Sequence, residues 1–359
     1  MLEHRSPARS RDFTSIDAVP PVDEAVRAAA YRRLDILTKP RGALGRLEPL
    51  AAQVCAIQGT LDIRIAQPVG IVFAADHGVA ERGVSAYPRE VTAQMVANFL
   101  HGGAAISVLA RLQGIELWIV DAGVEGDCIA HPRLIEAKIR RGTRNFVDEP
   151  AMTAEECVEA LQRGREVVAR VIPPDGNTLI LGEMGIGNTA AAAMLMHGLT
   201  GWELFDCVGR GTGLDDGGLE RKKAVLAQAL ERREAPRDPI GLLTEFGGYE
   251  IAMLAGAVLA AAARRILILV DGFTVSVAAA LAAGLDRRVL DYCVFTHCSA
   301  EHAHRALLEH LKVRPLLDLG MRLGEGSGAA LALPVVQAAV ALFTDMATFE
   351  GAGVSDKDA

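Results

Sequence analysis

Aromatic residues are scarce: Phe, Trp and Tyr together fill 4% of the 359 positions. The core must therefore come mainly from Ala, Leu, Val and Ile. No C-x-x-C pair occurs among the six cysteines Cys55, Cys128, Cys157, Cys207, Cys293 and Cys298. That spacing reads as reduced, mostly buried thiols of a cytosolic protein, not a disulfide framework or a zinc cage. Charge of one sign is never concentrated. With 37 Lys+Arg against 45 Asp+Glu the net charge is −8, and no basic face for a nucleic-acid backbone is in prospect. The N-terminal MLEHRSPARSRDF has arginines but no apolar core, which excludes a secretory signal. No apolar run suits a membrane span: 251–263 stops at Arg264-Arg265, and 326–343 is interrupted by Ser327, Pro334 and Gln337 and reads as a buried helix.

What is present is apolar mass and glycine. Hydrophobic residues make up 50% and charged residues 23%, which excludes a disordered chain. Glycine, at 36 residues, exceeds the usual share and points to tight strand-to-helix turns or backbone held close to a ligand. Short β-branched runs at 69–75, 115–120, 178–181, 266–270 and 292–296 read as strands, with a weaker one at 204–208. Helical spacing fills 23–37, 46–57, 89–99, 104–112, 154–171, 189–199, 219–232, 249–263 and 300–311, and Thr153-x-x-Glu156 forms a capping box. The alternation predicts a mostly parallel sheet covered by helices on both faces. Residues 1–22 read as a mobile leader and 349–359 as a flexible tail.

Each clear strand runs into a polar residue: Asp76, Asp121, Glu183, Asp271 and His297. In open α/β sheets ligands bind outside the carboxyl ends of the strands, so these five are candidates for one functional edge. Each alone reads equally as a turn cap. Gly182-Glu183-Met184-Gly185-Ile186-Gly187-Asn188-Thr189 is a strand entering a Gly-rich turn and a helix, a natural phosphate cradle. It fits neither G-x-x-x-x-G-K-[ST] nor G-x-G-x-x-G. A second glycine loop, Gly209-Arg210-Gly211-Thr212-Gly213, precedes Lys222 and Lys223; Lys222 reaches a phosphate, or both lysines are solvated. His297-Cys298 with His302 and His304 matches no metal spacing and reads as histidines on a helix surface. Asp76-His77 reads as a metal or acid–base pair, or equally as a plain turn. No G-x-S-x-G elbow is present. Glu325, between Gly324 and Gly326 at the head of a long apolar run, reads as a desolvated general base or as a helix-dipole partner.

Seven segments carry a resemblance: KPRGALGRLE (39–48), AADHGV with GVSAYPREVTAQM (74–95), GEMGIGNTAAAAM (182–194), GRGTGLDDGGLERK (209–222), FGGYEIAMLAGA (246–257), LVDGF (269–273) and RLGEGSGAALALP (322–334). In this order they resemble the nicotinate-nucleotide–dimethylbenzimidazole phosphoribosyltransferase family, over residues 25–346. The resemblance implies transfer of the phosphoribosyl group of nicotinate mononucleotide to 5,6-dimethylbenzimidazole, with no metal or cofactor, in a cytoplasmic homodimer. It implies Glu325 as general base and Glu183 as the second active-site glutamate. Gly185, Gly187, Asn188, Gly211 and Lys222 would contact phosphate and ribose, and Tyr87, Met95 and Leu323 the aromatic base. The implied fold is a Rossmann-like three-layer α/β arrangement of about six parallel strands in 61–327, with a small helical domain from 23–60 and 328–348. Two alternatives are a relative using another azole or a phenol, and a non-catalytic nucleotide- or corrinoid-binding protein.

Overall fold

The computed structural model describes residues 18–211 and 213–355. After α1 (Glu24–Asp35) and α2 (Leu47–Gln58) come β1 (Val69–Ala75), α3 (Val91–His101), α4 (Ala105–Gln113), β2 (Glu116–Gly123) and β3 (Leu134–Glu136). The chain continues with α5 (Ala154–Val171), β4 (Thr178–Met184), α6 (Asn188–Thr200), α7 (Leu204–Cys207), α8 (Asp216–Arg232), α9 (Pro239–Phe246) and α10 (Tyr249–Ala263). It closes with β5 (Leu267–Val270), α11 (Phe273–Leu285), β6 (Cys293–Phe295), α12 (His304–Leu311), α13 (Ser327–Asp345) and α14 (Phe349–Ala352).

All strand pairs are parallel, in the order β3-β2-β1-β4-β5-β6. Every residue of β1 is buried, as a strand covered on both faces requires. The 3-2-1-4-5-6 order reverses direction between β1 and β4, and the gap beyond their carboxyl ends is where such sheets hold ligands. α10 packs along α5 and across β1, β2, β4 and β5, while α13 rests on α2, α4, β4 and β5.

The two chain ends meet. Arg33 donates to the carbonyls of Phe343 (3.1 Å) and Thr344 (3.0 Å), and Leu37 bridges Thr348. On these bonds we propose that 23–60 and 328–348 form one helical unit, seated on the sheet through α13. Four expectations are corrected. The leader is not mobile throughout: Val19 and Val22 are buried, and Tyr292 Oη donates to Pro20 O (2.8 Å); residues 1–17 lie outside the described residues. The tail expected to be flexible opens with α14, capped by Thr348. Residues 204–208 are not a strand. Leu204 and Cys207 are buried with Phe205 exposed between them, the i,i+3 spacing of the helical turn α7. The expected start of α12 at residue 300 falls instead at His304.

Candidate active site

The edge where β1, β4 and β5 end gathers four acidic side chains. Glu183 sits at the end of β4, Asp271 directly after β5, Glu325 just before α13, and Glu250 in the first turn of α10. Asp76 and Asp121 are also buried, and both bond to backbone N–H groups. Asp76 Oδ2 accepts from Glu125 N (2.8 Å), and Asp121 accepts from Val124 N (2.9 Å) while pairing with Lys138 (3.0 Å). Asp121 fits the turn reading, whereas the Asp76 bond reaches across to the loop after β2.

Glu325 is held in an uncommon backbone state. Gly324, Glu325 and Gly326 have φ of +81°, +67° and +88°, a left-handed run that costs a residue with a Cβ roughly 1–2 kcal/mol. Asp271 secures it, its carboxylate accepting from Gly326 N and Ala329 N, both at 3.0 Å. These charge-assisted bonds also cap α13. The turn lies directly on β4: a Cβ on Gly182 would fall 2.3 Å from both C and O of Glu325. Glycine at 182 is therefore a requirement of close approach.

The Glu325 carboxylate is 5% exposed and accepts from the backbone N–H of Ile106 in the first turn of α4; Oε2 has no partner. Burial lifts its pKa to about 7, the Ile106 bond works against this, and Asp271 adds to it. Glu183 adjoins it, for a Cβ on Gly324 would lie 2.6 Å from Glu183 Oε1. Burial raises Glu183 to about 8, assisted by Glu250 and Asp271 and opposed by the hydrogen bond from Asn188. Two neighbouring carboxyls thus titrate near neutrality, the property of groups that exchange protons in catalysis.

The turn after β4 is glycine-rich and opens a helix, as expected of a phosphate cradle, but two of its N–H groups are bonded within the protein. Gly187 has φ of +96° and caps α6, Asn188 N donates to Gly185 O (3.1 Å), and Ile186 N donates to Thr92 Oγ1 (3.2 Å) on α3. The second glycine loop stands beside it. Lys222 on α8 is fully buried; its Nζ donates to Thr189 Oγ1 (2.9 Å) and Gly209 O (3.0 Å). Burial lowers its pKa to about 8, with Glu301 opposing. Glu301 accepts from Gly211 N (2.6 Å), and Arg322 donates to Gly211 O (3.0 Å). Lys222 is thus a buried brace between the two loops with one N–H to spare. Lys223 is paired at the surface with Glu220 (2.8 Å). A cavity of about 480 Å³ adjoins this loop, lined in part by Val208, Arg210, Lys223 and Arg322. Neither Glu183 nor Glu325 lines it, so it is separate from the paired carboxyls.

Of the residues expected at the aromatic base, Tyr87 and Leu323 are exposed and Met95 is half-buried on α3, one turn beyond Thr92. The sequence expectation for His297 and His304 is corrected: both are buried, not on a helix surface. His297 Nε2 lies 3.4 Å from Asp271 Oδ1, and a Cβ on Gly328 would lie 2.1 Å from its ring. Ser299 N donates to His304 Nδ1 (2.8 Å), which leaves the Nε2 proton for Ser276 Oγ (2.9 Å). Burial depresses the His304 pKa to about 3. Only His302 of this group is exposed. Sequence reasoning also missed Glu250, whose signal was available: an acid opening an apolar helix, the same pattern that marked Glu325.

A glycine-rich turn at the switch point of a 3-2-1-4-5-6 sheet, beside two buried carboxyls raised toward neutrality, fits an enzyme that acts on a phosphorylated small molecule. A phosphoribosyltransferase family profile matches residues 19–354. Nicotinate-nucleotide–dimethylbenzimidazole phosphoribosyltransferases are close relatives. That of Cupriavidus taiwanensis is 57% identical over 94% of this chain and 97% of its own length, and that of Aromatoleum aromaticum 51% over 93% and 97%. The crystal structure of CobT from Thermus thermophilus superposes with a TM-score of 0.89 at 45% identity, covering 92% of this chain and 99% of that one. The chain belongs to the nicotinate-nucleotide–dimethylbenzimidazole phosphoribosyltransferase family.

Proposed function

We propose that the protein transfers the 5-phosphoribosyl group of nicotinate mononucleotide to a ring nitrogen of 5,6-dimethylbenzimidazole, giving α-ribazole 5′-phosphate and nicotinate in assembly of the cobalamin lower ligand. The observation that carries this reading is Glu325, a buried carboxylate with one free oxygen in a strained turn against Glu183. The C1′–N bond to the pyridinium breaks and its electron pair passes to the ring, so nicotinate leaves with a neutral nitrogen and needs no acid. Positive charge builds on the ribose carbon and ring oxygen, and ionised Glu183 stabilises it. The unprotonated azole nitrogen attacks C1′ from the opposite face, and Glu325 takes the proton from the other azole nitrogen. Gly185, Gly187 and Asn188 at the head of α6 receive the phosphoribosyl end, with the Gly211 loop closing beside them. Tyr87, Met95 and Leu323 border the acceptor.

The reading includes a cytoplasmic homodimer. Val108 and Leu112, one turn apart on α4, are exposed, and all six cysteines are free thiols. Its direct test is incubation with nicotinate mononucleotide and a panel of azoles and phenols, with products identified by mass. A benzimidazole ribotide is the expected product. Ribotides of phenols alone would replace this acceptor by the alternative one, and no ribotide at all would favour a binding protein.

Lys222→Ala should raise the KM for nicotinate mononucleotide by about tenfold or more, because it unfastens the Gly209–Gly211 loop from α6 and removes a buried cation worth ~1.5–3 kcal/mol in charged hydrogen bonds. kcat should fall less. An unchanged KM in steady-state assays would remove Lys222 from the phosphate region.

A further inference from the structure

A buried histidine–glutamate couple stands behind the 185–188 turn and takes no part in the steps above. His77 follows β1, Glu250 opens α10, both are fully buried, and His77 Nε2 lies 2.6 Å from Glu250 Oε1. The backbone is built around them. A Cβ on Gly248 would lie 2.3 Å from His77 Cε1 and 2.5 Å from Glu250 Oε2; on Gly185, 3.4 Å from Glu250 Oε1; on Gly187, 3.1 Å from His77 Cβ. Gly248 thus makes room for the two side chains, and the turn glycines Gly185 and Gly187 pack directly against them. Apolar side chains of similar volume would fill that space as stably or better, since desolvation offsets most of what a buried pair gains. The couple is also incompletely satisfied, with Glu250 Oε2 and His77 Nδ1 lacking partners. An expensive arrangement directly under a substrate loop is explained by what it does to that loop and its neighbours.

We propose that Glu250, with His77 as its fixed partner, is a positioning residue that seats the 185–188 turn and sets the charge state in which Glu183 meets substrate. The inference rests on the phosphoribosyl-transfer reading. Carboxylates face Glu183 from three elements: Glu250 on α10, Asp271 after β5, and Glu325 before α13; Asn188 on α6 faces it as a donor. Asp271 is committed to Gly326 and Ala329, and Glu325 is itself a reactant. Among the described residues Glu250 has one polar partner, the His77 side chain, so it is the point from which the fold adjusts Glu183 without touching substrate.

The test is the pH dependence of kcat/KM for wild type, Glu250→Gln, Glu250→Asp and His77→Asn. Gln keeps the shape and removes the charge, so Glu183 ionises more readily and the acidic limb should move to lower pH by roughly half a unit or more. His77→Asn removes the ring that fixes Glu250 Oε1 and should move the limb the other way, to higher pH. Glu250→Asp should restore the limb while raising the KM for nicotinate mononucleotide, because the shorter side chain no longer supports the turn. A purely structural role would scale activity in all variants without opposed displacements. A Glu250→Gln profile superimposable on wild type overturns the inference even if His77→Asn fails to fold. Absence of any ribotide from wild type would instead overturn the parent reading.

Discussion

Glu325→Gln is expected to lower kcat by at least ~10²-fold, the usual scale for losing a general base, and to make the protein more stable at pH 8. The amide keeps the size of the side chain and its place beside Ile106 but cannot take the azole proton. The KM for nicotinate mononucleotide should change little, because the phosphoribosyl end is held elsewhere. The stability effect follows from linkage. Glu325 has a folded pKa of about 7 against an unfolded value near 4.3. Between those values the folded protein keeps a proton that the unfolded chain has released, so folding stability falls as pH rises through that window. Above it the penalty is complete, about 4 kcal/mol as an upper figure at ~1.36 kcal/mol per unit. Gln removes the penalty, so thermal denaturation should show the variant ahead of wild type at pH 8 and level with it near pH 4. Near-normal turnover would sink the assignment of Glu325 as base. In wild type, kcat/KM should climb between about pH 6 and 8.5, as Glu325 at about 7 and Glu183 at about 8 lose their protons.

Gly182→Ala is expected to be nearly as damaging, although residue 182 has no side chain to react. Its new methyl would lie 2.3 Å from two backbone atoms of Glu325 and 2.5 Å from Gly326 N, closer than any real contact. Backbone cannot swing aside as a flexible side chain can, so the 324–326 turn must move by about 1 Å. A shift of that size at a reacting group costs about 10²-fold in rate. It would also stretch the Asp271 bonds to Gly326 and Ala329, so a loss of stability on the order of 2 kcal/mol should accompany it. Measuring kcat and urea denaturation together checks this. A Gly182→Ala enzyme with wild-type kcat would mean that the turn is not held where chemistry requires it.

Much of the fold was legible because parallel strands and their helices write strong local signals. The run 69–75 emerged as β1 with both ends as expected, and 154–171 and 249–263 matched α5 and α10 to the residue. The failures have physical reasons. β3 has three residues, too few for a periodic pattern. α11 is apolar on nearly every face, with ten of its residues buried, so no polar stripe announces a helix. α7 is a single turn whose four residues read equally as a short strand. At the site, Glu183 and Glu325 were visible as acids flanked by glycine at element ends, and the cradle was visible as Gly-x-Gly before a helix cap. His297 and His304 were misread because spacing along the chain cannot show that their side chains turn into the interior.

The sequence by itself determined the alternation of strands and helices, the glycine-lined turns and the acids beside them, since each depends on residues within a few positions of one another. Only the tertiary structure decided which acids are buried beside one another with raised pKa values, that Lys222 is a buried brace, and that His77 and Glu250 meet. Those facts depend on desolvation and on contacts between segments far apart in sequence, such as 77 with 250 or 182 with 325. Such contacts exist only once the sheet has brought its carboxyl ends together.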